Sequence, residues 1–558
     1  MFRSFRTVLV ATTLLLLGAC QGGEPPAAQA VHTPRLLTGL GKIHHPISTA
    51  NPQTQRYFDQ GLALAFGFNH DGAIDAFREA ARLDPACAMC WWGIAFAYGP
   101  NINAPMGPDG AKAAYEAVQE ARRRIAHASP AERAYIAAIE TRYSPDFEAT
   151  AGAGGAPNRV ALDRAFADAM RQVWKQNPKD ADAAALFAES QLDLSPWNYW
   201  QDDGSPREFT REAEATLAQA LALNPEHTGA LHYTIHLYER FEPEKAEAAA
   251  DRLEVQAPDA GHLVHMPAHI YYRVGRYKDS ADVNEAAAAS DIAYFAWCRA
   301  PAAYAALYYT HNLHFLWASA MIEGRSDAAL TAARRIVAHI RPEQIATFPF
   351  MEDFLVTPLY TEVRFGHWDA ILGEPAPPAD QRFVAAIRHY ARGVALVRRH
   401  QLREADAELA ALAALAADPT LASLGYDTSG GTAGQRLEIA RLHLSGEIAA
   451  AKGDGTGAVA ALEEAIRVQD ALPYSEPPPF FFPVRQALGA ELVAQGRGKE
   501  AEAVYREDLR RYPKNGWSLY GLSQSLAKQG RSAEARYAEQ GFKNAWARAD
   551  VTLHSSRF

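Results

Sequence analysis

The stretch "YFDQGLALAFGFNHDGAIDAFREAARLDP", residues 57–85, contains two apolar patterns joined by a short polar turn. Apolar residues recur three and four positions apart on both sides of the turn, which predicts two amphipathic helices. Gly61 and Ala73 are small residues where two antiparallel helices would touch. Phe77 would fill the space between successive helix pairs, and Pro85 would end the second helix. The stretch therefore predicts a helical hairpin.

The same arrangement of small, aromatic and proline residues recurs along the chain. Residues 482–515 place Gly489, Ala501, Tyr505 and Pro513 at the corresponding positions. Similar patterns of small residues occur in residues 227–260, 261–294, 310–343, 439–472 and 516–549. A period of about 34 residues is typical of tetratricopeptide (TPR) repeats, which these windows resemble. The predicted fold is all-α: a TPR-like α-solenoid, a superhelix of antiparallel helix pairs.

Several longer motifs resemble a family of bacterial TPR lipoproteins. Among them are HHPIST at residues 44–49, GHLVHMPAHIYYRVGRY at residues 261–277 and the ending VTLHSSRF at residues 551–558. The resemblance extends over nearly all of the chain after its N-terminal segment. It implies the helical-repeat fold and no particular reaction.

The first 20 residues have the pattern of a bacterial secretion signal. A basic start is followed by a ten-residue apolar run, Val8–Leu17, which is too short to span a bilayer. The sequence LGAC that ends at Cys20 resembles a lipobox, which implies lipidation of Cys20; an ordinary signal peptide is the alternative. The resemblance places the protein in the bacterial cell envelope, as an outer-membrane lipoprotein facing the periplasm. Residues 21–43 are predicted to form a flexible tether.

The remaining chain divides at the proline-rich segment LGEPAPPAD, residues 372–380. We predict an N-terminal TPR-like array over residues 44–371, with a histidine-rich inner face, and a C-terminal TPR-like array over residues 381–558. Cys87 and Cys90 are close enough in sequence to form a buried pair or a disulfide, which an oxidising periplasm permits.

Charge and motifs limit the class of function. The formal net charge is −10 at pH 7, and no basic patch stands out, so the sequence argues against nucleic-acid binding. The sequence has no glycine-rich phosphate loop, no G-x-S-x-G nucleophile motif and no H-E-x-x-H zinc-protease motif. A binding protein is therefore favoured over an enzyme, and no catalytic residue is assigned.

Histidines are concentrated between residues 227 and 314, where eight of the 19 in the chain occur. In the predicted helices many of them stand three or four residues apart, and so share a face with neighbouring carboxyl and phenol groups. The candidate binding residues are His232, His236, Glu239, His262, His265, His269, Tyr272, His311 and His314.

Three interpretations of this cluster remain open. The first is a concave groove that binds a partner protein, a peptide or a polar ligand. The second is a transition-metal site for an ion such as Zn or Cu, because neutral imidazole is a good ligand for both; its candidate ligands are His232, His236, His262, His265, His269, His311 and His314. The third is structural packing of buried rings.

Pro267 bears on all three interpretations. If a helix already runs through His262 and His265, the proline must kink that helix. If the helix instead begins at Pro267, both histidines lie in a loop. The sequence favours the kink.

Overall fold

The computed structural model describes residues 34–106, 108–147, 157–297, 304–424 and 431–558. Within these ranges the chain is built from α-helices, and its only β-bridges are two isolated ones. The helices of the first half are α1 (Pro52–Phe66), α2 (His70–Leu83), α3 (Ala88–Ala97), α4 (Pro108–Arg123), α5 (Pro130–Glu140), α6 (Pro157–Gln176), α7 (Ala181–Leu192), α8 (Thr210–Leu223), α9 (Thr228–Tyr238), α10 (Glu247–Leu253), α11 (Gly261–His265), α12 (Pro267–Arg273) and α13 (Tyr277–Trp297). Those of the second half are α14 (Thr310–Glu323), α15 (Ser326–His339), α16 (Pro342–Thr347), α17 (Thr357–Phe365), α18 (Trp368–Gly373), α19 (Arg382–Arg398), α20 (Leu402–Ala416), α21 (Pro419–Ala422), α22 (Ala433–Ala451), α23 (Gly455–Asp470), α24 (Arg485–Ala494), α25 (Gly498–Arg511), α26 (Gly516–Lys528) and α27 (Ser532–Ala545). Short 3₁₀ segments cover Ile125–His127, Pro243–Ala246 and Pro349–Val356, and a π-turn at Ala305–Tyr309 leads into α14.

Successive helices pair as antiparallel hairpins, which confirms the predicted TPR-like solenoid. The small residues act as expected. A side chain added at Gly61 would place its Cβ 2.6 Å from the ring of Phe77, and one added at Gly489 would come within 2.4 Å of the Tyr505 ring. In these two repeats the helices touch where glycine leaves room, and an aromatic ring fills the contact.

The array folds back on itself, so that distant repeats are in contact. At its start, α1 packs against α9, and Gly67 lies beside Leu263 of α11. At its end, Trp517 Nε1 in α26 donates a hydrogen bond to the carbonyl oxygen of Met321 in α14. The predicted segments 44–371 and 381–558 therefore contact each other directly.

The tether predicted over residues 21–43 is wrong for its last ten residues. The hydroxyl of Tyr57 donates to the carbonyl oxygen of Pro34, and the Asp259 N–H donates to that of Gly39 at 2.8 Å. Leu40 is buried against the core. These contacts fix residues 34–43 to the array, because they satisfy backbone carbonyl groups of the segment and bury Leu40 against the helices. The predicted signal, the lipidation site Cys20 and the rest of the tether lie outside the described residues.

The predicted pairing of Cys87 with Cys90 is observed as a disulfide at the start of α3. Among the residues that the structure describes, none of the helices combines the length and the apolar character needed to cross a membrane.

The helix predicted to run through His262 and His265 ahead of Pro267 is present. Helix α11 ends at His265 and α12 begins at Pro267, and Met266 between them keeps helical backbone angles of −52° and −38°. The chain thus stays helical through the proline, whose missing N–H interrupts the hydrogen-bond ladder between the two helices. His262 and His265 are helical and lie on the same side of the chain as His269.

Candidate metal centre

Two groups of three histidines meet in the interior, each drawn from more than one helix. His232 and His236 of α9 converge with His262 of α11, and His265 and His269 of α11 and α12 converge with His311 of α14. In each triad the candidate ligand atoms lie within 4.8 Å of one another. The triads adjoin, since the rings of His262 and His265 are 6.0 Å apart. The prediction that imidazoles from separate helix pairs share one region is correct.

The i, i+4 spacing explains two of the three histidines in each triad. Residues four apart stack on one helix face, and Nε2 of His232 is 3.0 Å from Nε2 of His236. Across Pro267, Nε2 of His265 is 2.9 Å from Nε2 of His269. The third ring comes from another helix in both cases: His262 is 5.0 Å from His232, and His311 is 4.8 Å from His265, between ring centroids.

Hydrogen bonds on the opposite ring nitrogens fix the orientation of these rings. His232 Nδ1 donates to the carbonyl oxygen of Phe66 at 2.7 Å, a contact that exists because α1 packs on α9. His265 Nδ1 donates to Oδ1 of Asn284 at 2.6 Å, while the amide nitrogen of Asn284 donates to the Ser280 carbonyl oxygen. Both acceptors are carbonyl oxygens, so Nδ1 carries the hydrogen and the neutral ring presents a lone pair at Nε2.

Two glutamates, Glu239 and Glu476, contact the second histidine of the triads: Glu239 contacts His236 and His269, and Glu476 contacts His269. Oε1 of Glu239 is 3.2 Å from Nδ1 of His236, and its Oε2 is 3.1 Å from Nδ1 of His269. The His269 N–H points to Oε2 of Glu476 at 2.6 Å, so its approach to Glu239 is a close contact without a hydrogen bond. Glu239 therefore touches one histidine of each triad.

Burial favours the neutral form of five of the six imidazoles. It lowers the pKa of His232 to about 3, and burial followed by the neighbouring histidines holds the pKa values of His236, His262, His265 and His311 well below the usual value. Burial, together with the charge of Glu476, raises the pKa of Glu239 well above its usual range. Neutral imidazole is the form that coordinates metal ions.

His262 is the least satisfied ring of the cluster. It is 2% exposed, and neither of its ring nitrogens has a hydrogen-bond partner within the described residues. Its neighbours are rings: Phe68 stacks on it at 5.6 Å, and Tyr308 packs edge-on at 4.7 Å. An unpartnered buried polar group is destabilising and calls for a ligand or a functional reason.

The structure corrects three predictions: that the candidate residues line an open groove, that His314 belongs to the cluster and that Tyr272 does. The candidate side chains do not line an open groove, because most are 0–5% exposed and closure of the array covers them. His314 is absent from both triads: it stacks on Trp317 and meets Phe354 edge-on, although it follows His311 by three residues. Tyr272 lies outside the triads as well, 6.0 Å from Phe315 between ring centroids.

Sequence reasoning missed Glu476, Asn284 and the Phe66 carbonyl group. Glu476 lies in the segment PYSEPPPFFFP, residues 473–483, which reads as an aromatic-proline break. A single carboxylate inside such an apolar run was the available signal. The segment also borders a cavity of about 160 Å³ whose walls include Tyr272, Arg273, Tyr474 and Glu476. Glu476 thus stands between this cavity and His269.

Comparison with known proteins identifies repeat proteins among solved structures. The human IFIT1 dimer with m7Gppp-AAAA aligns over 89% of this chain and 91% of that chain, with 12% identity and a TM-score of 0.32. Yeast Tom70 aligns over 88% and 90%, with 10% identity and a TM-score of 0.28. The P58(IPK) TPR domain aligns over 86% and 99%, with 11% identity and a TM-score of 0.22. No protein-family model and no curated protein matches the chain.

Proposed function

We propose that this protein binds transition-metal ions at the two histidine triads inside a TPR-like scaffold. The observation that carries the proposal is the approach of Nε2 of His232 to Nε2 of His236, and of Nε2 of His265 to Nε2 of His269, in four rings whose Nδ1 atoms already have partners. Without a cation or a shared proton, the facing lone pairs of His232 and His236 would repel each other at 3.0 Å. A bound metal ion replaces this repulsion with coordination.

The distances fit such an ion. Metal–nitrogen bonds of about 2.0–2.1 Å at tetrahedral angles place two ligand nitrogens about 3.3 Å apart. The observed separations of 3.0 and 2.9 Å are within a few tenths of an ångström of that value. Because Phe66, Asn284 and the two glutamates fix the rings from behind, little reorganisation is needed on binding. The same arrangement supports a metal carrier and a metal-dependent enzyme.

The test is the metal content of the protein purified from its native expression host without a histidine tag. We expect a stoichiometric transition metal by elemental analysis, and its loss in the double variant His265→Ala/His269→Ala. His314→Ala is the matched control, because His314 is a buried neighbour outside the triads and should leave the metal content unchanged. Protein with intact helical content and no stoichiometric metal would refute the proposal.

We also propose that the protein is a lipid-anchored component of the bacterial cell envelope, facing the periplasm. The support is the LGAC sequence ending at Cys20 and the Cys87–Cys90 disulfide, which is typical of oxidising compartments. Metabolic labelling with palmitate should modify the wild-type chain and leave Cys20→Ala unlabelled. Equal labelling of both proteins would contradict lipidation at this residue.

A second candidate function is binding of a peptide or polar ligand at a different place from the one the sequence indicated. A cavity of about 440 Å³ lies where the starts of α5, α7 and α9 meet, and His45, Asp182 and Lys179 contribute to its walls. Peptides selected against the wild-type protein should lose binding to His45→Ala and keep binding to His265→Ala. The reverse pattern would remove this cavity from consideration.

A further inference from the structure

The two triads share no residue, although they adjoin. The first consists of His232, His236 and His262, and the second of His265, His269 and His311. Rings from different triads come within 6.0 Å (His262 to His265) and 6.4 Å (His236 to His269) between centroids. Each triad provides three imidazole nitrogen donors of its own, so one ion per triad uses all six rings.

The charge available to neutralise these ions is small. Among the described residues, the charged groups within 4.0 Å of the six histidines, or of the carboxylates that hold them, are Glu239, Glu476 and Arg273. The two carboxylates supply at most two negative charges, and Arg273 adds a positive one 3.8 Å from Glu476. Two divalent ions would exceed the available negative charge by at least two, in a region where uncompensated charge is costly. With Arg273 counted, two monovalent ions exceed the negative charge by at least one and two divalent ions by at least three, so monovalent ions come closer to balance.

We infer that the centre holds two copper(I) ions, one in each histidine triad, with Glu239 contacting a histidine of both. This inference rests on the proposed metal-binding function and specifies its ions. Imidazole is a suitable ligand for copper. Copper(I) carries a single charge and is coordinatively satisfied by three nitrogen donors, which is the number that each triad offers.

The position of Glu239 links the two ions. Its oxygens lie 3.2 Å from Nδ1 of His236 and 3.1 Å from Nδ1 of His269, and the Nε2 atoms of these rings belong to different triads. A carboxylate behind a coordinating imidazole orients the ring and increases its basicity. One side chain therefore contacts a ligand of each ion.

The experiment is an anaerobic titration of the purified, untagged and metal-depleted chain with copper(I), using bicinchoninate as the competing chromophoric ligand. The wild-type chain should withdraw two equivalents of copper(I). His262→Phe should withdraw one, because it removes a ligand of the first triad only, and His311→Phe should withdraw one for the second triad. The control His314→Phe should withdraw two.

X-ray absorption of the loaded protein should show copper(I) with three nitrogen neighbours at each site. One equivalent of a divalent ion shared by both triads, or two equivalents of zinc bound at least as tightly as copper(I), would overturn the inference and leave the metal-binding function intact. Absence of any bound metal would overturn both. Circular dichroism of each variant confirms that a lost equivalent reflects the lost ligand and not unfolding.

Discussion

Replacing His262 with phenylalanine should stabilise the metal-free protein while it destroys the first metal site. The ring is 2% exposed, and both nitrogens lack hydrogen-bond partners within the described residues. A buried polar group without a partner costs about 1–3 kcal/mol of folding free energy. Phenylalanine removes that cost and keeps the contacts with Phe68 and Tyr308, although its larger ring returns part of the gain. We expect a net stabilisation of about 1–2 kcal/mol.

The matched control is His265→Phe, at an equally buried position in the same cluster. His265 donates to Asn284 at 2.6 Å, so this substitution leaves the Asn284 oxygen without its donor. It should destabilise the metal-free protein by about 1–3 kcal/mol. The two single substitutions therefore have opposite signs although their chemistry is identical.

The assay is urea denaturation followed by circular dichroism, with a chelator present throughout. The free energy of unfolding should follow the order His262→Phe, wild type, His265→Phe, from most to least stable. A loss of more than about 1 kcal/mol for His262→Phe would refute the reasoning, since it would mean that the ring has partners that the structure does not show. Adding metal should reverse the order of wild type and His262→Phe, because bound ligand stabilises only the protein that retains the site.

Three further predictions follow from other contacts. Glu239→Gln should weaken metal binding about 10–100-fold in a competition titration, because a glutamine that accepts from His236 through its oxygen turns its NH2 group toward Nδ1 of His269; unchanged affinity would remove Glu239 from the centre. Asp182→Asn should lower the free energy of unfolding by about 2 kcal/mol, because Asp182 accepts hydrogen bonds from His45 and His227. Chemical denaturation as a function of pH measures this loss. In the His45–Asp182 pair, burial alone would lower the pKa of His45 and raise that of Asp182. Their hydrogen bond and opposite charges outweigh burial, so the pKa of His45 is raised above 6.5 and that of Asp182 is lowered below 3.8. The stabilisation of the folded state that comes from the lowered pKa of Asp182 is present above pH 3.8 and is lost as the pH falls through its folded pKa. The stabilisation that comes from the raised pKa of His45 is present below pH 6.5 and is lost as the pH rises through its folded pKa. The deficit of the variant should therefore be largest between about pH 4 and 6.5; a deficit that is constant from pH 3 to 9 would contradict this account. Gly61→Val should destabilise the first hairpin by at least about 2 kcal/mol, because even a Cβ there lies 2.6 Å from the Phe77 ring, and a thermal midpoint equal to that of wild type would contradict the close contact.

The repeat fold could be predicted from the sequence because its determinants are local. The contact between Gly61 and Phe77 spans 16 positions within one hairpin, and the helix that each belongs to follows from apolar periodicity. The histidine ridges follow from the same periodicity, since residues three and four apart share a helix face whatever lies beyond it. The interruption of the hydrogen-bond ladder at Pro267 was predictable from the missing N–H of proline.

Which ridges meet was decided by the tertiary structure. Phe66 and His232 are separated by 166 positions, and His269 and Glu476 by 207, so no local pattern relates them. They meet because small rotations between successive hairpins accumulate until the array folds back on itself, and each rotation depends on side-chain packing at its interface. His311 and His314 illustrate the difference: the sequence placed both on one helix, and only the packing of that helix directed one toward the triad and the other toward Trp317. The same closure converted a predicted open groove into a buried centre, because covering the inner face removes it from solvent.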